Sequence, residues 1–431
     1  MANRHLSLSG VGILLVAATA FGAARPVGKL PGTGRTDKNL LPLDELMTSF
    51  LPKQKIPGGA LAVAKDGKLV YARGFGWADR DAKAPVQPDS LFRIASISKP
   101  ITAVAVLQLV DAGKIKLDQP AFALLKLRPH LPDGAKVDPR LKTVTIRHLL
   151  QHAGGWDRDK SGDPVFRSVK TAESLNVRPP ATAEHVIRYM MGRPLDFDPG
   201  ERMLYSNFGY CVLGRVVEAA SGTTYERYVQ EKVLAPLGIR SMRIGRSLAE
   251  NRAPGEVKYY TPDAATAPCI FPDKRGKRVP VQYGRFHVEA ADAHGGWLAS
   301  AVDLVRFAAA FDKPNACPVL SAGGIRTMFA RPAGALGRDE KGKPKPAFYA
   351  CGWMVRPIGR KGANTWHAGG IPGTATLLVQ RHDGFAWAVL FNTRGKNTIG
   401  KMDPLVHHAV NAVKAWPDGD LFREYGEGLR D

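Results

Sequence analysis

The stretch FRIASISKPITAVAVLQLVDAGKI, Phe92–Ile115, sets a serine and a lysine three residues apart where an apolar run begins. Pro100 suits the first turn of a helix and Gly113 suits its end, so the run predicts one helix. On that helix Ser96 and Lys99 share a face, about 5–6 Å apart at Cβ. The stretch therefore indicates either a helix start with a solvated lysine or a serine nucleophile beside its proton acceptor.

The second interpretation makes specific chemical demands. A serine hydroxyl becomes a good nucleophile only when a neighbouring group takes its proton. A lysine can take that proton only where burial or another cation lowers its pKa. A helix that starts at the nucleophile also directs free backbone N–H groups towards developing negative charge. Because serine and lysine are common, this spacing arises by chance on the order of once per chain, and further motifs are needed.

Length and composition bound the class of protein. The 431 residues suffice for one large domain or two closely joined ones, and 44% hydrophobic with 23% charged residues favours a folded chain. The formal charge of +22 favours anionic neighbours, so we expect non-specific contact with anionic envelope polymers beside a small-molecule or peptide substrate. The basic residues are scattered rather than interleaved with aromatics, which argues against specific nucleic-acid binding.

The N-terminus predicts export. Arg4 precedes the apolar stretch Gly10–Ala24, which is shorter than the ~20 residues of a membrane span. We expect a signal peptide over residues 1–24, cleaved after Ala20 or Ala24, and a mature protein that is periplasmic or extracellular. No later stretch of the sequence is long and apolar enough to predict a transmembrane segment.

Four cysteines permit three full pairings, and the sequence does not choose among them. Cys211 lies in a helical apolar pattern and Cys351 in a strand-like one, so both are expected to be buried free thiols. Cys269 and Cys317 lie in loop-like segments, where an exported protein could join them in a disulfide.

Hairpin signals near both ends of the chain predict a single sheet. Asp66-Gly67 and Asp383-Gly384 each separate two strand-like runs. We therefore expect an α/β (α+β) fold: an antiparallel sheet built from both chain ends, flanking helices and an inserted, mostly helical domain. The expected division is a linker over residues 25–42, an α/β domain over 43–116 and 289–420, a helical domain with an insert over 117–288, and a C-terminal tail over 421–431.

A second candidate motif is Tyr205-Ser206-Asn207, which follows a Pro-Gly turn and precedes an apolar helix. A tyrosine hydroxyl near a lysine can relay a proton, and an asparagine amide can orient both the lysine and an acyl substrate. Alternatively, Asn207 caps the helix and Tyr205 packs against it.

A third candidate lies in WHAGGIPGTATLLV, where His367, Gly369 and Gly370 precede a predicted strand. Glycines there let the backbone approach a ligand, and an N–H at such an edge can form half of an oxyanion hole. Alternatively, the segment is a glycine-rich turn with a surface histidine.

No metal and no cofactor are expected. His148 and His152 are four residues apart on a predicted helix, but no third ligand lies near them, so we assign them a structural role. Ser300 with Asp303 is typical of a helix cap rather than of a second nucleophile.

Together the three motifs resemble those of the serine β-lactamase-like hydrolases, a group of class C β-lactamases, esterases and penicillin-binding-protein-like D-Ala-D-Ala carboxypeptidases. Ser96-Ile97-Ser98-Lys99 matches the S-x-x-K of this family, and Tyr205-Ser206-Asn207 matches its Y-x-N. His367-Ala368-Gly369 matches the H-x-G variant of its third motif. The flanking phrases Leu149–Trp156 and Gly295–Phe307 are also similar, and the resemblance covers nearly all of the mature chain.

The resemblance implies a role for each motif. Ser96 would be the nucleophile that forms an acyl-enzyme, and Lys99 and Tyr205 would share the acid–base work. Asn207 would position Lys99 and the acyl side of the substrate. The N–H groups of Ser96 and Gly370 would form the oxyanion hole, a device typically worth ~2.7–4 kcal/mol per donor.

The third motif would bind substrate through His367, Gly369 and Gly370, and it departs from many family members, which have lysine in place of His367. A charged lysine suits the carboxylate of a β-lactam or a peptide terminus, whereas histidine is mostly neutral near pH 7. The resemblance therefore implies an esterase or peptidase acting on ester, amide or β-lactam type bonds. The alternative within enzymes is a true class C β-lactamase or D-Ala-D-Ala carboxypeptidase.

A different class of function is a non-catalytic binding or scaffold protein that keeps the fold. Its discriminating sign would be the loss of Ser96, Lys99 or Tyr205, and all three are present. The sequence therefore favours a serine hydrolase.

Overall fold

An antiparallel sheet built from both ends of the chain organises the computed structural model, which describes residues 30–132 and 134–425. Its strands, with those of two small sheets, are β1 (Gly32–Thr33), β2 (Gly58–Lys65), β3 (Lys68–Asp79), β4 (Ala84–Pro85), β5 (Phe92–Arg93), β6 (Arg243–Ile244), β7 (Thr266–Pro268), β8 (Arg278–Pro280), β9 (Trp297–Ala299), β10 (Phe348–Tyr349), β11 (Met354–Pro357), β12 (Ala363–Ile371), β13 (Thr374–Gln380) and β14 (Phe385–Phe391).

Helices cover both faces of this sheet and fill the middle of the chain. They are α1 (Leu41–Lys53), α2 (Ser98–Asp111), α3 (Ile146–Leu150), α4 (Ser168–Ser174), α5 (Ala183–Met191), α6 (Asn207–Ser221), α7 (Tyr225–Tyr228), α8 (Asp292–Gly295), α9 (Ala301–Ala309), α10 (Ala322–Phe329), α11 (Gly334–Gly337) and α12 (Thr398–Ala412). Ser300 caps α9 as its spacing to Asp303 predicts.

The order of the main sheet is β1-β3-β2-β14-β13-β12-β11-β10, and β4 pairs with β3 at one edge. The β2–β14 ladder joins the two ends of the chain, with Leu61 opposite Val389. The prediction of an antiparallel sheet from both chain ends, flanked by helices, is therefore confirmed.

Tight turns close the two predicted hairpins. Between β2 and β3, Asp66 and Gly67 both have positive φ, at 53° and 84°. Two-residue turns whose twist matches that of the strands need positive φ at both positions, which Asp-Gly accepts at little cost. Between β13 and β14, Gly384 has a φ of 82° in the second Asp-Gly pair.

The stretch predicted as a linker, residues 25–42, contains the edge strand β1 and the start of α1. Gly32 and Thr33 pair with Phe75 and Gly74 of β3. A strand of two residues has too little alternation to be recognised in a glycine-rich sequence, because a period of two needs several residues to repeat.

Alternation along β2 explains how helices pack on both faces of the sheet. Leu61 and Val63 point into a core completed by α1 and α12. Ala60, Ala62 and Ala64 point to the other face, on which α9 packs. Successive side chains of a strand point to opposite faces, so the small alanines let α9 approach closely while the larger residues fill the other core.

The helix predicted from the opening motif is α2, and it is buried almost all round. Residues 98–107 are buried, and α6, α8 and α10 pack against the helix. A helix that is apolar on every side is typical of a protein core. Its polar side chains, Lys99 and Thr102, are completely buried too. The interpretation of Lys99 as a solvated residue at a helix start is therefore wrong.

All four cysteines are free thiols. Cys211 and Cys351 are buried, as the sequence predicts. Cys269 is buried and Cys317 is partly exposed, and no disulfide joins them.

The predicted signal peptide, residues 1–24, lies outside the described residues, and so does the end of the predicted tail. Across residues 30–132 and 134–425, none of the helices combines the length and apolar character that a membrane span requires.

A buried ion pair fixes the strand that leads into the opening motif. Arg93 of β5 is completely buried and lies 3.6 Å from Glu256. Its guanidinium donates to the carbonyls of Gln282 and Arg246, each at 2.6 Å. The Tyr259 hydroxyl accepts the Arg93 backbone N–H and donates to Glu256. These contacts attach the segment 246–283 to the chain just before Ser96.

Replacing Arg93 by methionine should lower the free energy of unfolding by about 3–5 kcal/mol, because it leaves the Glu256 carboxylate buried without its cation. Urea unfolding of the purified variant measures this change. Arg35→Gln is the control: its pair with Glu424 is exposed, so the loss should stay below about 1 kcal/mol. Equal losses in the two variants would contradict the assignment.

Candidate active site

Ser96 lies in a single 3₁₀ turn, Ala95–Ile97, that joins β5 to α2. Ala95 has a φ of 48°, in the left-handed region that residues with a Cβ rarely adopt. The Ser98 hydroxyl donates to the Ala95 carbonyl at 2.8 Å and holds this turn closed. Backbone strain of this kind persists only where the surroundings enforce it, and it clusters at functional sites.

The central sheet supplies that enforcement. The hydroxyls of Thr374 and Thr376 on β13 donate to the carbonyls of Arg93 and Ile94, at 3.0 and 2.9 Å. Gly369 on β12 lies directly against the same chain, since a Cβ built there would stand 2.2 Å from the Ile94 carbonyl oxygen. Glycine is therefore required at position 369 for the sheet to reach the nucleophile turn.

Lys99 is completely buried beneath Ser96. Its Nζ lies 3.2 Å from Ser96 Oγ and 2.8 Å from both Asn207 Oδ1 and the His294 carbonyl oxygen. Burial holds the pKa of Lys99 well below the usual 10.5 of lysine. The negative charge of Asp163 raises this pKa and the positive charge of Arg158 lowers it.

These contacts orient the lone pair of a neutral Lys99. Asn207 Oδ1 and the His294 carbonyl can only accept hydrogen bonds, so they take the two N–H bonds of an uncharged amine. The remaining position on nitrogen, the lone pair, then points to the Ser96 hydroxyl. In this arrangement a neutral Lys99 can accept a proton from Ser96.

Asn207 is the first residue of α6, and its side chain faces Lys99. Its Nδ2 donates to Asp163 Oδ2 at 2.7 Å, which leaves Oδ1 as the atom that faces the lysine. The residue that caps α6 is Ser206, whose hydroxyl accepts the Gly209 N–H. The alternative in which Asn207 is the helix cap is therefore wrong.

Tyr205 lies between an imidazole and a guanidinium. Its ring centroid is 4.3 Å from that of His152 and 5.2 Å from Arg158 Cζ, and Lys99 Nζ lies 4.8 Å away. Burial raises the pKa of Tyr205 above its usual value, and a hydrogen bond with Ser96 only partly offsets this rise. The phenol is therefore protonated near pH 7 and can donate a proton beside Ser96.

His152, assigned a structural role from the sequence, supports this tyrosine from below. It is buried, and its Nδ1 accepts the backbone N–H of Ser206 at 3.1 Å. Burial, with the nearby charge of Lys99, holds its pKa well below the usual value, so the ring is neutral.

Gly370 lines the same cavity as Ser96. Ile371 and Thr374 face each other across a two-residue turn. In a hairpin with a two-residue turn, the residue pair that flanks the turn exchanges backbone hydrogen bonds and the next pair does not. Gly370 belongs to that next pair, so its N–H and carbonyl point away from β13. On the side of β12 that faces away from β13, β11 pairs with β12 only as far as Trp366. Past Trp366, the turn that carries Ser96 packs against β12. The geometry thus leaves the Gly370 N–H available for the predicted oxyanion hole.

His367 is buried beneath the cavity rather than at its surface. Its Nδ1 donates to the Ala368 carbonyl at 2.8 Å, which leaves Nε2 to accept from the Tyr349 hydroxyl at 3.1 Å. Burial, and then the charge of Lys99, lowers the pKa of His367 to about 3. The interpretation of this residue as a surface histidine is wrong. Its contact with substrate, like that of Gly369, stays a prediction.

A cavity of about 450 Å³ opens above Ser96, Tyr205 and Asn207. Phe166 and Phe286 form an apolar part of its wall, with their ring centroids 6.3 Å apart. A cavity of this size, with a few polar groups converging on one carbonyl-sized space, suits a small acyl compound.

Asp163 and His294 are among the residues of this site that the sequence analysis missed. Asp163 precedes Pro164 and caps a short helical turn, a pattern that gives no indication of a distant asparagine. His294 takes part through its backbone carbonyl, which every residue type carries. Neither contribution has a signature in the sequence.

The Beta-lactamase family model matches residues 43–412 of the chain. The chain belongs to this family. Members of this family are serine hydrolases, and relatives in sequence include an esterase and a penicillin-binding protein. The family assignment made from the three motifs is confirmed.

Three similar proteins are two relatives in sequence and one solved structure with a similar fold. "Esterase EstB" from Burkholderia gladioli is 30% identical over 389 residues, which cover 86% of this chain and 94% of that protein. "Penicillin-binding protein 4*" from Bacillus subtilis (strain 168) is 26% identical over 344 residues, with coverage of 79% and 69%. The structure of D-amino acid amidase from Ochrobactrum anthropi SV3, complexed with L-phenylalanine amide, superposes with a TM-score of 0.64 at 21% identity and covers 88% of this chain and 99% of its own.

The opposite charges of Asp163 and Arg158 should move the pH profile in opposite directions. Because Asp163 raises the pKa of Lys99, Asp163→Asn should shift the rise of kcat/KM to lower pH. Because Arg158 lowers that pKa, Arg158→Gln should shift the rise to higher pH, since Lys99 acts only when it is uncharged. The measurement is the pH dependence of kcat/KM for a nitrophenyl ester.

Arg360→Gln is the matched control, because Arg360 is exposed and does not line the described cavity. Its profile should coincide with that of the parent protein. Shifts of the same sign in Asp163→Asn and Arg158→Gln would contradict Lys99 as the group that controls the rise.

Proposed function

We propose that the protein is an exported serine hydrolase that cleaves small esters through an acyl-enzyme on Ser96. The observation that carries the proposal is the buried Lys99 amine, 3.2 Å from Ser96 Oγ, with both of its neutral-state N–H bonds taken by other acceptors. Among residues 30–132 and 134–425, no carboxylate is in direct contact with this lysine, which suits the role of a base.

Acylation begins when Ser96 Oγ attacks the carbonyl carbon of the substrate and its proton passes to Lys99 Nζ. The negative charge that develops on the carbonyl oxygen faces the N–H groups of Ser96 and Gly370. As the intermediate collapses, the bond to the leaving group breaks and Tyr205 donates the proton that this group needs. The Lys99 ammonium then returns a proton to the Tyr205 oxygen, so both groups end as they began.

Deacylation repeats these transfers with water in place of Ser96. Lys99, now neutral again, takes a proton from the attacking water, and the Ser96 oxygen leaves the acyl carbon and recovers a proton. Because Lys99 and Tyr205 are coupled, the pair rather than either residue alone sets the observed pH dependence.

At position 367, the third motif favours an ester over a substrate whose carboxylate would bind at that position, such as a β-lactam or a peptide terminus. A lysine in this position would present a charge to a carboxylate, whereas His367 is neutral, buried and already hydrogen bonded to Tyr349. The similarity to the esterase EstB, over 86% of the chain, supports the same preference. Amide and β-lactam hydrolysis are the alternative that the substrate panel below tests.

The mature protein should release product from a short-chain nitrophenyl ester faster than from a chromogenic cephalosporin or a peptide ending in D-Ala-D-Ala. Ser96→Ala should lower the rate by about 10³-fold or more, because no other group can form the acyl-enzyme. Steady-state kinetics with the three substrates measures both effects. Mass spectrometry of the quenched parent protein should detect the acyl group on Ser96.

Ser98→Ala provides a comparison within the same turn, since Ser98 is fully buried and donates to the Ala95 carbonyl. It should retain the acyl-enzyme that Ser96→Ala lacks. Turnover that survives in a folded Ser96→Ala protein would overturn the proposal, and a preference for the cephalosporin or the peptide would replace ester by the corresponding substrate.

Export is the second part of the proposal and rests on the sequence of residues 1–24. When the full chain is produced in a bacterial host with an export pathway, the mature protein should begin after Ala20 or Ala24. N-terminal sequencing of the envelope or medium fraction measures this. A chain that stays in the cytoplasm with residue 1 intact would contradict the prediction.

A further inference from the structure

Three arginines converge on the catalytic cavity from distant parts of the chain. Arg158, Arg285 and Arg394 are exposed, and each of them lines this cavity. They lie in three separate loops, so no local pattern in the sequence brings them together. The sheet and the helical domain do so only when both are folded.

In the described part of the chain, these three cations have no carboxylate in contact with them. None of the described residues that line the cavity is acidic. Within residues 30–132 and 134–425, none of the three arginines forms an ion pair or a side-chain hydrogen bond. A single exposed arginine needs no partner, but three around one cavity repel one another. Such an arrangement favours whatever anion enters the cavity.

Asp163 interacts with the charge of Arg158 but contacts none of the three arginines. Its Oδ2 accepts from Asn207, and the residue caps the turn that starts at Pro164. It does not line the cavity with the arginines. The positive charge therefore remains available to substrate.

We propose that the substrate carries at least two negative charges, held on its leaving portion by Arg158, Arg285 and Arg394. The proposal rests on the serine hydrolase function above and names the class of substrate for the same site. One carboxylate can take a bidentate pair of hydrogen bonds from one guanidinium, so a single charge would leave most of the cluster unmatched. A dianion or polyanion fits three.

The contact of Arg158 assigns the charge to the leaving portion rather than to the acyl portion, and Arg394 lies beside the predicted oxyanion hole. Arg158 lies over the ring of Tyr205, the residue that donates a proton to the leaving group. Arg394 lies against Gly370, where an added Cβ would be 3.2 Å from its Nε. The apolar wall of Phe166 and Phe286 is left for the acyl portion. Hydrolysis itself is unchanged: water adds to the acyl carbon and the anionic alcohol leaves with a proton.

A matched series of acetate esters tests the proposal: phenyl acetate, 3-carboxyphenyl acetate and 5-acetoxyisophthalate, with zero, one and two carboxylates on the leaving phenol. The readout is acetate release by the mature protein, as kcat/KM at constant pH. We expect kcat/KM to rise with each added charge. The advantage of the dianion should also shrink between 0.05 and 0.5 M KCl, because salt screens exposed charges.

Arg285→Gln and Arg394→Gln should each lower the ratio of kcat/KM for the dianion to that for phenyl acetate by about tenfold. Arg360→Gln, which removes an exposed charge away from the cavity, should leave this ratio unaltered. A general loss of folded protein cannot explain a lower ratio, since it would lower kcat/KM for all three esters alike.

Each outcome decides one question. If kcat/KM is equal or falls along the series, or is equal for the monoanion and the dianion, the proposal of a polyanionic substrate is wrong. Ser96-dependent turnover of phenyl acetate would still support the hydrolase function in that case. Two outcomes would overturn the proposed function itself. One is that none of the three esters is turned over, and the other is that Ser96→Ala leaves their turnover unchanged. An unchanged ratio in both arginine variants would overturn the arginines as the anion site.

Discussion

The burial of one amine, Lys99, is the constraint to which the rest of the site conforms. A charged ammonium would be costly there, because Lys99 is completely buried and no carboxylate of residues 30–132 and 134–425 contacts its Nζ. The amine instead meets two neutral acceptors, Asn207 Oδ1 and the His294 carbonyl, and the hydroxyl of Ser96. Other contacts of the site hold these three oxygen atoms in position around the amine.

The sheet and the site share the same residues. Thr374 and Thr376 of β13 pair with residues of β12 and at the same time hold the chain that precedes Ser96. Gly369 belongs to the ladder of β12 and also makes room for the Ile94 carbonyl. The strands therefore hold the turn of Ser96 through direct contacts. A site supported in this way keeps its geometry to the tolerance that acyl transfer requires.

The sequence predicted those parts whose information is local. Asp66-Gly67 and Asp383-Gly384 mark hairpins because only a few residue types accept the backbone of a tight turn. Lys99 was recognisable because it lies within the apolar sequence of a predicted helix. Asp163, the left-handed Ala95 and the backbone carbonyl of His294 were not, since their roles come from chain segments that meet only in the folded protein. The convergence of the three arginines on one cavity is of the same kind.

The pairing of β2 with β14 also has a consequence for how the chain folds. The hydrogen bond from the Gly58 N–H to Asn392 Oδ1 spans 334 positions in the sequence. Until the last strand has been synthesised, the β2–β3 hairpin has one edge without its neighbour, and the apolar residues on its two faces have no complete core. Contacts of such high contact order form slowly, and open edges of this kind associate with other chains. Completion of the fold thus waits for the C-terminal strands, and a chain crossing a membrane from its N-terminus would cross before its central sheet could close.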